Sequence, residues 1–149
     1  RPKAEAFLIH SPNHGWKIQV ASEGFMQNFL LISLGAVLGA NLRYWVGGWA
    51  AEKFGAAFPY GTLIVNITGS FVLAFLMTVW TERAIVDPRW RLLLAIGFLG
   101  AYTTFSTLTY ESVNLMVKGQ LWTGALNLVG SAVLGAGAVA LGILLGKAV

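Results

Sequence analysis

The sequence predicts an all-α membrane protein of four transmembrane helices, and three observations carry that expectation. Of its 149 residues 56% are apolar and only 11% charged, against roughly 25% charged in an ordinary soluble domain. The charges are also bunched: Arg43 is the only one between Glu23 and Glu52, and none occurs in residues 54–81, 92–110 or 119–146. A helix rises ~1.5 Å per residue and a hydrocarbon core takes about 20 apolar residues to cross, so each stretch is long enough for one passage.

Residues 1–25 stand apart in composition, with Arg1, Lys3, Glu5, Lys17, Glu23, two prolines and both histidines. They lack the continuous apolar core of a cleavable signal peptide. They are expected to be a disordered or surface extension added upstream of a natural start at Met26. Residues 26–149 then form a single four-helix domain. His10 and His14 are expected to lie in unstructured chain rather than to form a metal tag.

The first span covers about residues 26–50. Its Gly35 and Gly39 form a small-xxx-small pair, as do Gly142 and Gly146 in the last span. Such pairs let helices approach closely in lipid, where water cannot drive association, so tight packing within or between subunits is expected at both. Arg43 lies near the end of the first span, and its long stem can snorkel to the interface. Trp45, Trp49, Trp80, Trp90 and Trp122 fall near span ends, where an amphipathic ring anchors at headgroup level.

The second span, about 60–81, carries Thr62, Asn66 and Ser70 four residues apart, which sets all three on one helical face with Asn66 near mid-membrane. An asparagine there either holds helices together or lines a path. The third span, about 92–117, contains the stretch GFLGAYTTFSTLTYES, in which eight of the eleven residues from Tyr102 to Ser112 bear a hydroxyl. Single hydroxyls in a membrane helix usually bond the carbonyl one turn back. Eight together point to a polar pathway. Gly97 and Gly100, poor helix formers, precede the cluster, and a break there would offer free carbonyls or amides to an ion of either sign. Glu111 lies toward the end of this span and is assigned no proton-coupling role. The fourth span, about 121–145, places Asn127 and Ser131 four apart as a second polar line.

Loop charge gives little orientation. Arg83, Arg89, Arg91 and Lys147 lie on one side, against Lys53, Lys118 and a snorkelling Arg43 on the other. A bias this weak lets the chain insert both ways and pair head to tail. The net charge of +4 comes from scattered residues with no basic stripe, so a nucleic-acid partner is not expected. With no cysteine and no histidine in the spans, thiolate and imidazole chemistry lose their usual members, and an enzyme is not expected.

The motifs GAVLGANLRYWVG, PYGTLIVNITGSF and GFLGAYTTFSTLTYE, in that order, resemble the Fluc family of small fluoride channels, also called CrcB, over about residues 26–145. The resemblance implies a dual-topology antiparallel homodimer with two narrow pores that export fluoride passively across the plasma (inner) membrane of a bacterium or archaeon. It implies a structural sodium ion at the dimer centre, held by carbonyls of Gly100 and Thr103 from each subunit. It assigns the pore asparagine to Asn66, the hydroxyl track to Ser106, Thr107 and Thr109, the first-span arginine to Arg43 and the fourth-span polar position to Ser131. Asn127 stands where relatives often have tyrosine. Phe105 matches the first of two pore phenylalanines, and Leu108 takes the place of the second, for which reduced conduction with an intact fold is expected.

An anion path also suits the residues themselves. Fluoride is strongly hydrated, so a selective path must replace water with many neutral donors such as Ser, Thr and Asn, and no span has a central lysine to trap the ion. An aromatic edge is positive and can meet a partly dehydrated anion, as leucine cannot. Two rivals remain open at this point. One is a small multidrug-type exporter, which needs a carboxylate deep in the membrane for proton exchange. The other is a non-transporting membrane scaffold in which the hydroxyls only hold helices together.

Overall fold

The computed structural model describes residues 8–11, 15–18, 22–83 and 87–149. Four helical segments, Gly24–Phe54, Tyr60–Glu82, Pro88–Val117 and Leu121–Ala148, are long and apolar enough to cross a membrane. The protein is a multi-pass membrane protein whose membrane part is all-helical. Within the expected extension, β1 (Leu8–Ser11) and β2 (Gly15–Ile18) pair antiparallel in the register Leu8↔Ile18 to Ser11↔Gly15. Residues 1–7, 12–14 and 19–21, including His14, lie outside the described residues, as do 84–86.

Helix α1 (Ser22–Phe54) begins before Met26 and outruns the expected span at both ends. It stops at Gly55, whose φ of 81° and bond from its N–H to the Ala51 carbonyl (2.9 Å) form a left-handed cap. Helix α2 (Tyr60–Arg83) returns across the membrane. The third span opens with a single turn, α3 (Pro88–Trp90), with proline in the first turn and the Asp87 carboxylate accepting from the Arg89 N–H. A wide-wound π-helical run, Arg91–Leu99, follows, then one α turn, α4 (Gly100–Tyr102). Thr103 (ψ 160°) and Thr104 (φ −154°, ψ 121°) are extended, and α5 (Phe105–Val117) resumes beyond them. Gly119 (φ 85°) turns the chain into α6 (Leu121–Ala148).

The third span therefore breaks, but at Thr103–Thr104 rather than at Gly97 and Gly100. Gly97 is spent on packing. A Cβ there would come within 2.6 Å of the Ile32 carbonyl, and one on Gly35 or Gly39 would collide with the backbone of Leu93 or Phe98. These glycines bring α1 and the π-helical run into backbone contact, as the small-xxx-small pattern predicts. Gly142 and Gly146 do the same for α6 against Phe71, Phe75 and Thr78 of α2. Both glycine pairs thus pack within the single chain.

A small core of Val65, Leu99 and Tyr102, joined by Val46, Leu76 and Phe98, sits where α1, α2 and the third span meet. Most large apolar side chains elsewhere point outward, as they do where lipid or a second subunit takes the place of a core. Trp45, Trp49, Trp90 and Trp122 are exposed, consistent with anchoring.

Candidate ion pathway

The break is held open by one side chain. In an unbroken helix the Thr104 N–H would donate to the Gly100 carbonyl; here it donates to Asn66 Oδ1 (2.8 Å), while Asn66 Nδ2 donates to the Thr104 carbonyl (3.0 Å). Asn66 thus satisfies both polar groups of Thr104 at membrane depth, where an unsatisfied group costs several kcal/mol. Thr104 in turn caps α5: its Oγ1 accepts from the Thr107 N–H (3.3 Å) and donates to Thr107 Oγ1 (3.0 Å). That cap diverts the donor that would otherwise reach the Thr103 carbonyl. Gly100 and Thr103, the two carbonyls expected to face a cation, lose their fourth-residue donors in this way, and the carbonyls of Ala101 and Tyr102 between them receive no backbone bond across the break either.

The hydroxyls divide into two groups. Thr103 Oγ1 donates to the Leu99 carbonyl (3.0 Å), and Thr109 Oγ1 bonds the carbonyls of Phe105 (3.1 Å) and Ser106 (3.0 Å), so both are turned onto their own helix. Ser106 lies 3.3 Å from Thr104 Oγ1 and is exposed. Thr104 and Thr107 face a cavity of about 420 Å³ together with Arg43, Thr62 and Glu111. Thr62 and Glu111 also line a cavity of about 330 Å³ that reaches Asn114 and Lys118 at one end of the bundle. Thr104 further borders a third cavity of about 610 Å³, shared with Asn66, Ser70, Phe105, Leu108 and Ser131. Shared residues link the three in series, from Lys118 to the break.

Of the expected site residues, Asn66, Arg43, Thr107, Phe105, Leu108 and Ser131 border these cavities, with Thr103 on the wall of the largest. Thr109 lies on the opposite face of α5, beside Tyr110 and Val113. The two third-span positions differ sharply: Phe105 is 75% exposed and projects from the protomer, whereas Leu108 is 6% exposed and forms part of its wall. Sequence reasoning missed Thr104: threonine is a favoured N-cap residue, but no Glu or Gln follows three residues on to mark the helix start here. It also missed the bond between Thr68 Oγ1 and the Tyr102 hydroxyl (3.0 Å), which ties α2 to the last turn before the break.

Residues 30–143 match the family model described as CrcB-like protein, Camphor Resistance (CrcB). The chain is similar to the fluoride-specific ion channel FluC of Koribacter versatilis, 48% identical over 120 residues, covering 76% of this chain and 95% of the relative. It is 47% identical over 123 residues to FluC of Chloroflexus aurantiacus, covering 82% and 97% of the two chains. To FluC of a Sulfurihydrogenibium species it is 46% identical over 103 residues, covering 69% and 83%.

Proposed function

The chain belongs to the CrcB family, and on that premise we propose that it is a fluoride-selective channel that lets fluoride leave the cytoplasm down its gradient, conferring fluoride resistance. The observation that carries the reading beyond the names of its relatives is the Thr103–Thr104 break, bracketed by Asn66 and opening onto linked cavities in which the polar groups nearest the break, Asn66, Thr104, Thr107 and Ser131, are neutral. Arg43 and Lys118 set positive charge against the Glu111 carboxylate along the two outer cavities, while the residues nearest the break are uncharged and hold an anion weakly enough to release it. Thr104, Thr107, Asn66, Ser131 and the Phe105 ring replace the water that fluoride sheds, with Ser106 beside Thr104, while Thr109 is turned onto its own helix. No bond is made or broken in this role, so no residue is catalytic.

A second copy in antiparallel orientation is part of the proposal. Gly100 is exposed and Phe105 projects outward beside broken backbone. Non-helical backbone at membrane depth is tolerated only where protein or a water-filled cavity covers it. The near-even loop charge permits both orientations in the plasma membrane of a bacterium or archaeon. The donor set at Gly100 and Thr103 fits a sodium ion: hard carbonyl oxygens released from helical bonding, doubled by a partner copy. A sodium ion held there supplies a fixed positive field at the dimer centre.

Efflux from liposomes loaded with potassium fluoride tests the reading. Reconstituted protein is expected to release fluoride and to retain chloride. Intact dimers that release no fluoride would overturn it.

A further inference from the structure

The polar side chains around the largest cavity, about 610 Å³, differ in what they have left to give an anion. They are Asn66, Ser70, Thr103, Thr104 and Ser131. A hydroxyl has one proton to donate. Thr103 gives its proton to the Leu99 carbonyl (3.0 Å) and Thr104 gives its own to Thr107 Oγ1 (3.0 Å), so neither has a donor to spare. Ser131 Oγ is buried without a partner, and its side chain has to turn before it can reach an ion. Asn66 keeps one donor: Oδ1 accepts the Thr104 N–H, and Nδ2 gives one of its two protons to the Thr104 carbonyl (3.0 Å), leaving the other free. Ser70 keeps the only one it has. A serine or threonine in a helix ordinarily bonds the carbonyl one turn back, as Thr68, Thr78 and Thr81 of α2 do at 2.7, 2.8 and 2.8 Å. Ser70 Oγ makes no hydrogen bond among the described residues; the residue is half-buried and its hydroxyl is open to the cavity. Across from it α6 presents Gly135. A Cβ there would lie 3.8 Å from Ser70 Oγ, so the missing side chain leaves space beside the hydroxyl. Ser70, Leu73 and Val139 also line a further cavity of about 470 Å³ that follows α2 and α6 to Glu82 and Lys147. Ser70 is the polar side chain at that junction.

We infer that Ser70 is a second anion-contacting residue on α2, and that it and Asn66 together hold an ion in this cavity. Residues four apart on a helix have their Cβ atoms about 5–6 Å apart, so one small anion can accept from Asn66 Nδ2 and Ser70 Oγ at once. Both protons are unused within the protein, so no internal bond has to break when the ion arrives. Both donors are neutral, which keeps binding weak enough for release. That the ion is fluoride rests on the reading above; that Ser70 faces a wet path does not.

Two measurements test this. Ser70→Ala removes a proton that bonds nothing within the protein, so the midpoint of thermal aggregation is expected to hold while fluoride efflux from liposomes slows about tenfold, the loss of one hydrogen bond to a charged group. A lowered midpoint alongside slow efflux would make Ser70 a structural residue. Efflux at the unmodified rate would remove Ser70 from the path and leave the fluoride reading standing, whereas no release from the unmodified protein would defeat the fluoride reading itself. The second measurement does not depend on conduction. The chain has no cysteine, so Ser70→Cys carries a single thiol. Silver ion, which binds thiolates, is expected to cap that thiol in the folded protein and protect it from maleimide added after unfolding in detergent. Full maleimide labelling would mean that residue 70 is sealed from water, and would overturn the inference whether or not the protein conducts fluoride.

Discussion

The two halves of the third span meet their neighbours in different ways. Residues 88–102 lie against α1 through Gly35, Gly39 and Gly97, backbone to backbone, and among the described residues no side-chain hydrogen bond joins them to α1. Residues 105–117 and the break before them are held by hydroxyls and amides: Asn66 on Thr104, Asn127 on Ser112, Thr104 on its own helix. In lipid, close approach and hydrogen bonding are the two routes to association; before the break the span relies on the first, with Thr68–Tyr102 as its one polar tie to α2, and after the break it adds the second to the close approach of Gly124 on Ser112 and Met116. The first half should be intolerant of volume and the second intolerant of lost polarity or added charge.

The largest effect is expected from volume in the first half. A Cβ on Gly39 already collides with the Phe98 carbonyl, and the obstacle is backbone, which cannot rotate aside. Gly39→Leu should cost about 3 kcal/mol or more, at or beyond the upper end for overpacking. Size-exclusion chromatography in detergent should show aggregate in place of a single peak. A monodisperse, conducting Gly39→Leu protein would mean that α1 and the π-helical run are not in contact.

Next comes charge in the second half. Asn66→Asp keeps the shape but removes the donor to the Thr104 carbonyl, setting a carboxylate oxygen against it, and places a negative charge beside the 610 Å³ cavity. Losing one donor to a buried partner costs about 1–3 kcal/mol. The charge in an anion's path adds to that, so fluoride efflux should fall to background in protein that still purifies as a dimer. Unchanged flux would remove Asn66 from the path.

Much of this contrast was legible from residue types, and the part that was not has a physical reason. Runs of membrane length with no charge, or with Arg43 alone in the first, marked the four spans, because a charge is the costliest thing to place in hydrocarbon. The Gly35/Gly39 and Gly142/Gly146 spacings marked two real helix contacts. The site of the break was misplaced because Gly97 and Gly100 were read for flexibility, whereas Gly97 serves by having no side chain. What breaks the helix is a competitor for its hydrogen bonds, Asn66, which lies 38 residues away in sequence from Thr104. A long-range bond leaves no local signature. Nor could periodicity separate Thr107, which faces a cavity, from Thr109, which bonds its own backbone, since which hydroxyls are free depends on packing.

Leu108→Phe should have a smaller effect, and one that sharpens the contrast between wall and projecting ring. Leu108 is buried, yet it borders the 610 Å³ cavity, so an added ring has room on one side. A buried small-to-large change costs about 1–3 kcal/mol where the core is closed and less where it is open. The variant should fold, and efflux should equal or exceed that of the unmodified protein, because a ring edge offers the anion a positive surface. A clear loss of flux in well-behaved dimers would mean that residue 108 faces a tight part of the wall.

The smallest effect is expected where a glycine has no neighbour. A Cβ on Gly137 of α6 meets nothing within 4 Å, unlike Gly142 five residues on, whose Cβ would lie 2.6 Å from the Phe71 carbonyl. Within the protomer, Gly137→Ala therefore adds only helix propensity, worth up to about 1 kcal/mol. The midpoint of thermal aggregation should hold or rise slightly, with the dimer peak unchanged. Because the protomer leaves this face open, the variant also reads what lies beyond it. If a second copy packs here at glycine distance, the added methyl would split the dimer while each protomer stayed folded, and the contrast between close approach and hydrogen bonding would then extend from the helices of one protomer to the contact between two.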